Sequence, residues 1–103
     1  MTTTISTLIE LASAQARIQS RAGLYRLNTS ALQALCDLGA SESIVMTHLA
    51  RRLGISSAAI TGMIDSLEKS QFVVRQNSRT DRRKIWITLT DLGRRALSDI
   101  LTA

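Results

Sequence analysis

The chain has 103 residues, a formal charge of +5, three aromatic residues, no proline and one cysteine. That length suits one domain with a single modest core, and the composition reads as helix-rich rather than disordered. The lone Cys36 has no partner for an internal disulfide, which points to a reducing cytoplasm. No stretch is long and uncharged enough to span a membrane.

The first residues lack the early positive charge of a signal peptide, and Glu10 interrupts their apolar run. Ile5, Leu8, Ile9, Leu11, Ala12, Ala16 and Ile18 instead share one broad helical face, which predicts a helix from roughly Thr3 to Ser20. A helix this long is marginal alone in water, so its face must pack on this chain's own core or on a second subunit. A second helix fits Ser30 to Gly39, with Ser30 and Gln33 spaced as a capping box and Gly39 as its stop. "SIVMTHLARRLG" and "SSAAITGMIDSLEKS" predict two more, the latter with Ile60, Met63, Ile64 and Leu67 on one side.

After Ser70 the period changes. "FVVRQ" and "KIWITLT" read as strands, with Ile85, Ile87 and Leu89 alternating against Trp86 and Thr88. Asn77 to Arg83 is then their hairpin loop. Thr90 and Asp91 cap a last helix that carries Leu92, Ala96, Leu97 and Ile100 and runs toward residue 102. The expected fold is mainly α with a small β-hairpin, in the order helix, helix, hairpin of a winged helix-turn-helix.

"LARRLGISSAAITGMI" carries the strongest local signal. Leu49, Leu53, Ile55, Ile60 and Met63 supply contacts between two steeply crossed helices. Ala50 is small where they approach, and Gly54 provides a left-handed turn. The second helix of such a motif enters a major groove by its N-terminal half. Its solvent face should carry Ser57, Ala58, Thr61, Gly62 and Asp65. Ser57 and Thr61 can bond base edges or phosphates, and Ala58 can touch a thymine methyl. No Arg or Lys lies between Ile55 and Glu68, so bidentate guanine reading is not expected of this helix. Ser56 is explained by helix capping.

Between Arg75 and Lys84 stand five basic residues (Arg75, Arg79, Arg82, Arg83, Lys84) against Asp81 alone, a local charge of +4. Such a patch is either the footprint of a polyanion partner or a solvated loop. On a ribbon beside a recognition helix, an arginine reaches the adjacent minor groove, whose negative potential deepens over A·T tracts. Asp81 can hold the Arg83 guanidinium by a charge-assisted bond, and it can equally serve as a turn residue. Arg51, Arg52 and Lys69 on neighbouring helices either reach phosphates or form a solvated face.

From about Leu27 to Ala96 these residues resemble the MarR family of bacterial winged-helix regulators. The likeness rests on "LARRLGISSAAITGMIDSLEKSQFV" and on Asp81-x-Arg83 followed by Leu89-Thr90. It implies a homodimer on pseudo-palindromic double-stranded DNA, usually as a repressor, with Arg83 in the minor groove. Gly62 departs from the family, which often has arginine there, and costs the helix about 1 kcal/mol relative to alanine. Gln71 stands where glycine is usual, at a cost on the order of 1 kcal/mol if its backbone is left-handed. The sequence has one short helix after the wing in place of the family's longer C-terminal pair. The first and last helices are the expected dimerisation elements.

An enzyme is the least expected class, since beside the single His48 and Cys36 there are no paired carboxylates and no metal-ligand spacing, and no cofactor is expected. His48 reads as an exposed polar residue and Cys36 as a small buried hydrophobe. Nothing in the sequence specifies a small-molecule effector. Two rivals to a sequence-specific regulator remain: a winged-helix adaptor for a protein partner, and an architectural protein that binds DNA through phosphates. The expected DNA-binding set is Arg51, Arg52, Ser57, Ala58, Thr61, Gly62, Arg79, Asp81, Arg82, Arg83 and Lys84.

Overall fold

A computed structural model describes residues 2–103. The elements run α1 (Thr2–Leu24), α2 (Thr29–Ser41), β1 (Ser43–Val45), α3 (Met46–Leu53), α4 (Ser57–Lys69), β2 (Val73–Asn77), β3 (Ile85–Leu89) and α5 (Asp91–Leu101). The expected mainly helical winged-helix fold is present, with a third strand that periodicity did not reveal.

That strand is β1, which lies inside the segment expected to open the third helix. Three residues are too few for a period of two to show. Pairing supplies what local pattern does not: Ser43, Ile44 and Val45 lie opposite Thr88, Ile87 and Trp86, antiparallel to β3. The Ser43 and Thr88 hydroxyls add a hydrogen bond of 2.8 Å. The sheet order is β1-β3-β2, so the hairpin's second strand is its centre.

Helix boundaries differ from expectation where tertiary packing intervenes. The first helix runs past Ser20 to Leu24, and Arg26 at φ 60 ends it as the Leu27 N–H returns to the Ala22 carbonyl at 3.0 Å. Ala22 and Leu27 are both buried, so packing fixes this exit. Asn28 then caps α2 by accepting from the Ala31 N–H at 2.8 Å. The Ser30–Gln33 capping box does not form, because the Gln33 amide donates to Asp37 instead, at 3.0 Å. Gly39 does not stop the helix either. It continues to Ser41 and ends at Glu42, φ 64.

The core gathers α2, α3, α4, α5 and the inner face of the sheet. Leu35, Leu38, Leu49, Ile64, Ile87 and Ile100 are its largest fully enclosed side chains. Burial of each such side chain stabilises the fold by about 1.5–3 kcal/mol. Ala96, Leu97 and Ile100 of α5 belong to this core, so the last helix mainly closes the chain's own interior. The start of α1 does not. Ile5, Leu8, Ile9 and Leu11 are between 58% and 62% exposed. With this helix included, the principal extents are 56 × 25 × 21 Å.

Candidate nucleic-acid interface

The turn between α3 and α4 is built as its sequence predicts. Gly54 sits at φ 67, and its N–H with that of Ile55 closes α3 onto the carbonyls of Arg51 and Ala50. Leu49, Ala50 and Ile60 are buried between the two helices, with Leu53, Ile55 and Met63 packed around them. The Ser56 hydroxyl accepts from the Ala59 N–H at 3.1 Å, so its role is the cap.

Ser57, Ala58, Thr61, Gly62 and Asp65 are all exposed on α4, as the packing of the opposite face requires. The Thr61 hydroxyl donates to the Ser57 carbonyl at 2.8 Å. Its proton is therefore engaged, and the group faces solvent as a methyl and an acceptor. Nothing lies within 4 Å of the point where a Cβ on Gly62 would stand. Gly62 opens instead into a cleft of about 670 Å³ between α4 and the α1–α2 junction, which Tyr25, Leu27 and Met63 also line.

The wing loop is ordered by its own polar groups. The Ser78 N–H donates to the Lys84 carbonyl at 3.1 Å, and the Lys84 N–H to the Asp81 carbonyl at 3.0 Å. Asp81 fills both roles considered for it. Its Oδ1 accepts from the Arg83 N–H at 3.0 Å as a turn residue, and from the Arg83 Nε at 3.3 Å as a brace. The Arg83 side chain is 92% exposed beyond that brace. Arg79, Arg82 and Lys84 are exposed beside it. Among the described residues no carboxylate lies within ion-pair distance of these three or of Arg51. Arg52 is partly engaged, 3.6 Å from Asp37 on α2.

Sequence reasoning left Arg75 out of the site. It lies on β2, where its guanidinium is hydrogen-bonded to Asp65 of α4 and stands 3.3 Å from Glu68. Its charge was legible in the sequence, but its partners were not, since they lie on a different element. Gln71, between α4 and β2, is left-handed at φ 66, which is the strained case anticipated for it.

His48 is exposed and Cys36 is half-buried, with burial the main cause raising its thiol pKa. Among the described residues no cluster of His, Cys, Asp and Glu could hold a metal ion, and no helix is long and apolar enough to cross a membrane.

Crossed helices joined at Gly54, backed by a three-stranded sheet whose hairpin extends as a basic ribbon, define a winged helix-turn-helix protein. Residues 27–85 match the MarR family, and the chain belongs to that family. It is 42% identical over 55 residues to the HTH-type transcriptional repressor YetL of Bacillus subtilis, covering 53% of this chain and 33% of YetL. YusO of the same species superposes with a TM-score of 0.78 at 24% identity, over 96% of this chain and 70% of that one. Reduced AbfR bound to DNA superposes at 0.72 with 25% identity, over 94% and 69%. The chain spans less than half the length of the curated relatives it matches. Those relatives are named as transcriptional regulators, not as enzymes.

Proposed function

We propose that this chain is a cytoplasmic, sequence-specific transcriptional regulator. It binds a pseudo-palindromic operator in double-stranded DNA as a homodimer and acts as a repressor. Ser57, Ala58 and Thr61 face the major groove, and Gly62 beside them leaves that position without a side-chain contact to base or phosphate. Arg83, braced by Asp81, enters the adjacent minor groove. Arg51, Arg52, Arg79, Arg82 and Lys84 neutralise phosphates around that register. The observation that carries this reading is the wing: an ordered basic ribbon whose exposed Arg83 is held by one carboxylate 3.3 Å away. A merely solvated loop has no need of that brace. The DNA-bound AbfR relative and the repressor name of YetL support the same reading.

Dimerisation is supported by the exposed apolar stripe of α1, together with Leu92 and Leu101 on the outer face of α5. Two copies related by a twofold axis present two recognition helices to half-sites roughly one helical turn apart. The test is selection from a random duplex pool, then salt titration on the winners and on scrambled DNA. An enriched inverted repeat with a clear affinity gap over scrambled DNA is the expected result. Equal affinity and an equally steep salt slope on both would mean an architectural protein held by phosphates. No binding at moderate salt would mean a protein partner.

A further inference from the structure

Asp65 and Glu68 follow Thr61 by four and seven residues, so they extend the exposed stripe of α4 toward its C-terminus. A helix that enters a major groove by its N-terminal half brings its C-terminal half past the sugar–phosphate backbone. Two bare carboxylates there would repel the phosphates that the wing attracts. Arg75 meets both. Its Nη2 bonds Asp65 Oδ1, and its Nε stands 3.3 Å from Glu68 Oε1. That Nε is shielded from solvent and makes no hydrogen bond, so it meets Glu68 as an ion pair, and the Arg75 side chain is 26% exposed against 92% for Arg83. Arg83 is offered outward, whereas Arg75 is turned onto the helix.

We infer that Arg75 is a positioning residue for DNA binding. It neutralises Asp65 and Glu68 and ties α4 to β2, so that the recognition helix and the wing meet the duplex as one body. Arg75 itself touches no DNA. Its planar guanidinium gives Asp65 a hydrogen bond while its Nε edge holds Glu68 by charge alone, an arrangement that the point charge of lysine does not reproduce. The inference rests on the DNA-binding reading given above.

The test uses duplexes enriched from the random pool and three forms of the full chain besides wild type. These are Arg75→Met, Asp65→Asn/Glu68→Gln, and the triple substitution combining them. Arg75→Met is expected to weaken binding about tenfold, the scale of a lost hydrogen bond to a charged group. The triple variant is expected to return to within about threefold of wild type, since no carboxylate is left to neutralise. The acid-only double variant should bind at least as tightly as wild type, which also keeps the idea testable if Arg75→Met does not fold. A merely structural arginine would lower Tm without recovery of affinity in the triple variant. Unchanged affinity in Arg75→Met, or a folded triple variant that stays weak, overturns the inference while leaving DNA binding intact. Wild-type protein that enriches no duplex overturns the DNA reading and this inference together.

Discussion

The Thr90 hydroxyl donates to the backbone carbonyl of Gln71 at 2.6 Å, and this bond joins the end of α4 to the start of α5. The same oxygen accepts from the Gly93 N–H at 3.0 Å as the cap of α5, and the Thr90 N–H donates to the Phe72 carbonyl at 3.0 Å. These bonds hold Gln71 at φ 66, a conformation that a side chain resists. Thr90→Val keeps the shape and removes the hydroxyl. It is expected to cost about 1–2 kcal/mol, and a domain of this size then melts roughly 4–15 °C lower. Thr90→Ser should recover most of that loss. Thermal melts of the two variants decide it, and equal Tm values for wild type and Thr90→Val would remove the role.

The braced arginine of the wing makes a separate prediction about affinity. Arg83→Ala should weaken operator binding by about tenfold or more and lower the salt slope by about 1. Asp81→Asn keeps every basic group yet loosens the guanidinium, so it should lower affinity less and leave Tm nearly unchanged. Arg17→Ala, on an exposed part of α1 far along the chain from the wing, should bind as wild type does. Equal losses for Arg83→Ala and Arg17→Ala in a gel-shift titration would sink the wing model.

Between α1 and α5, Asp99 accepts from the Tyr25 hydroxyl at 2.6 Å and from Arg21 at 3.0 Å. The Tyr25 hydrogen bond and the Arg21 charge hold the Asp99 carboxyl below its usual range, and the same bond holds the Tyr25 phenol above its own. The two signs oppose one another. Stability from a depressed carboxylate is full above its unfolded pKa and is lost as pH falls through the folded value. Stability from a raised phenol is full below its unfolded pKa and is lost as pH rises through the folded value. Wild type should therefore lose Tm relative to Asp99→Asn at both the acid and the strongly alkaline end. Parallel Tm-against-pH curves for the two proteins would contradict this.

The exposed stripe of α1 predicts the assembly. Leu8→Glu places a charge in the centre of the proposed contact without touching the core, because Leu8 is 60% exposed in the single chain. Light scattering should read a dimer for wild type and a monomer for the variant, with an unchanged helical signal. Affinity for a full inverted repeat should fall, while affinity for an isolated half-site should not. A variant that remains dimeric would place the contact elsewhere.

The sequence by itself determined whatever depends on residues a few positions apart. The apolar spacing of Leu49, Leu53, Ile60, Ile64 and Leu67, the Gly54 turn, and the Ser56 and Thr90 caps are all present where spacing put them. So is the Asp81–Arg83 brace, whose partners are two residues apart. These interactions close within one helical turn or one loop, so their partners stand side by side in the text of the chain. Tertiary structure decided the rest. β1 exists only because β3, more than 40 residues later, lies beside it. Asn28, not Ser30, caps α2 because the buried Ala22 and Leu27 fix where the chain leaves α1. Arg75 finds Asp65 and Glu68 only once β2 packs against α4. A charge shows its sign in the sequence, but its partner is set by the packing of elements that local spacing does not record.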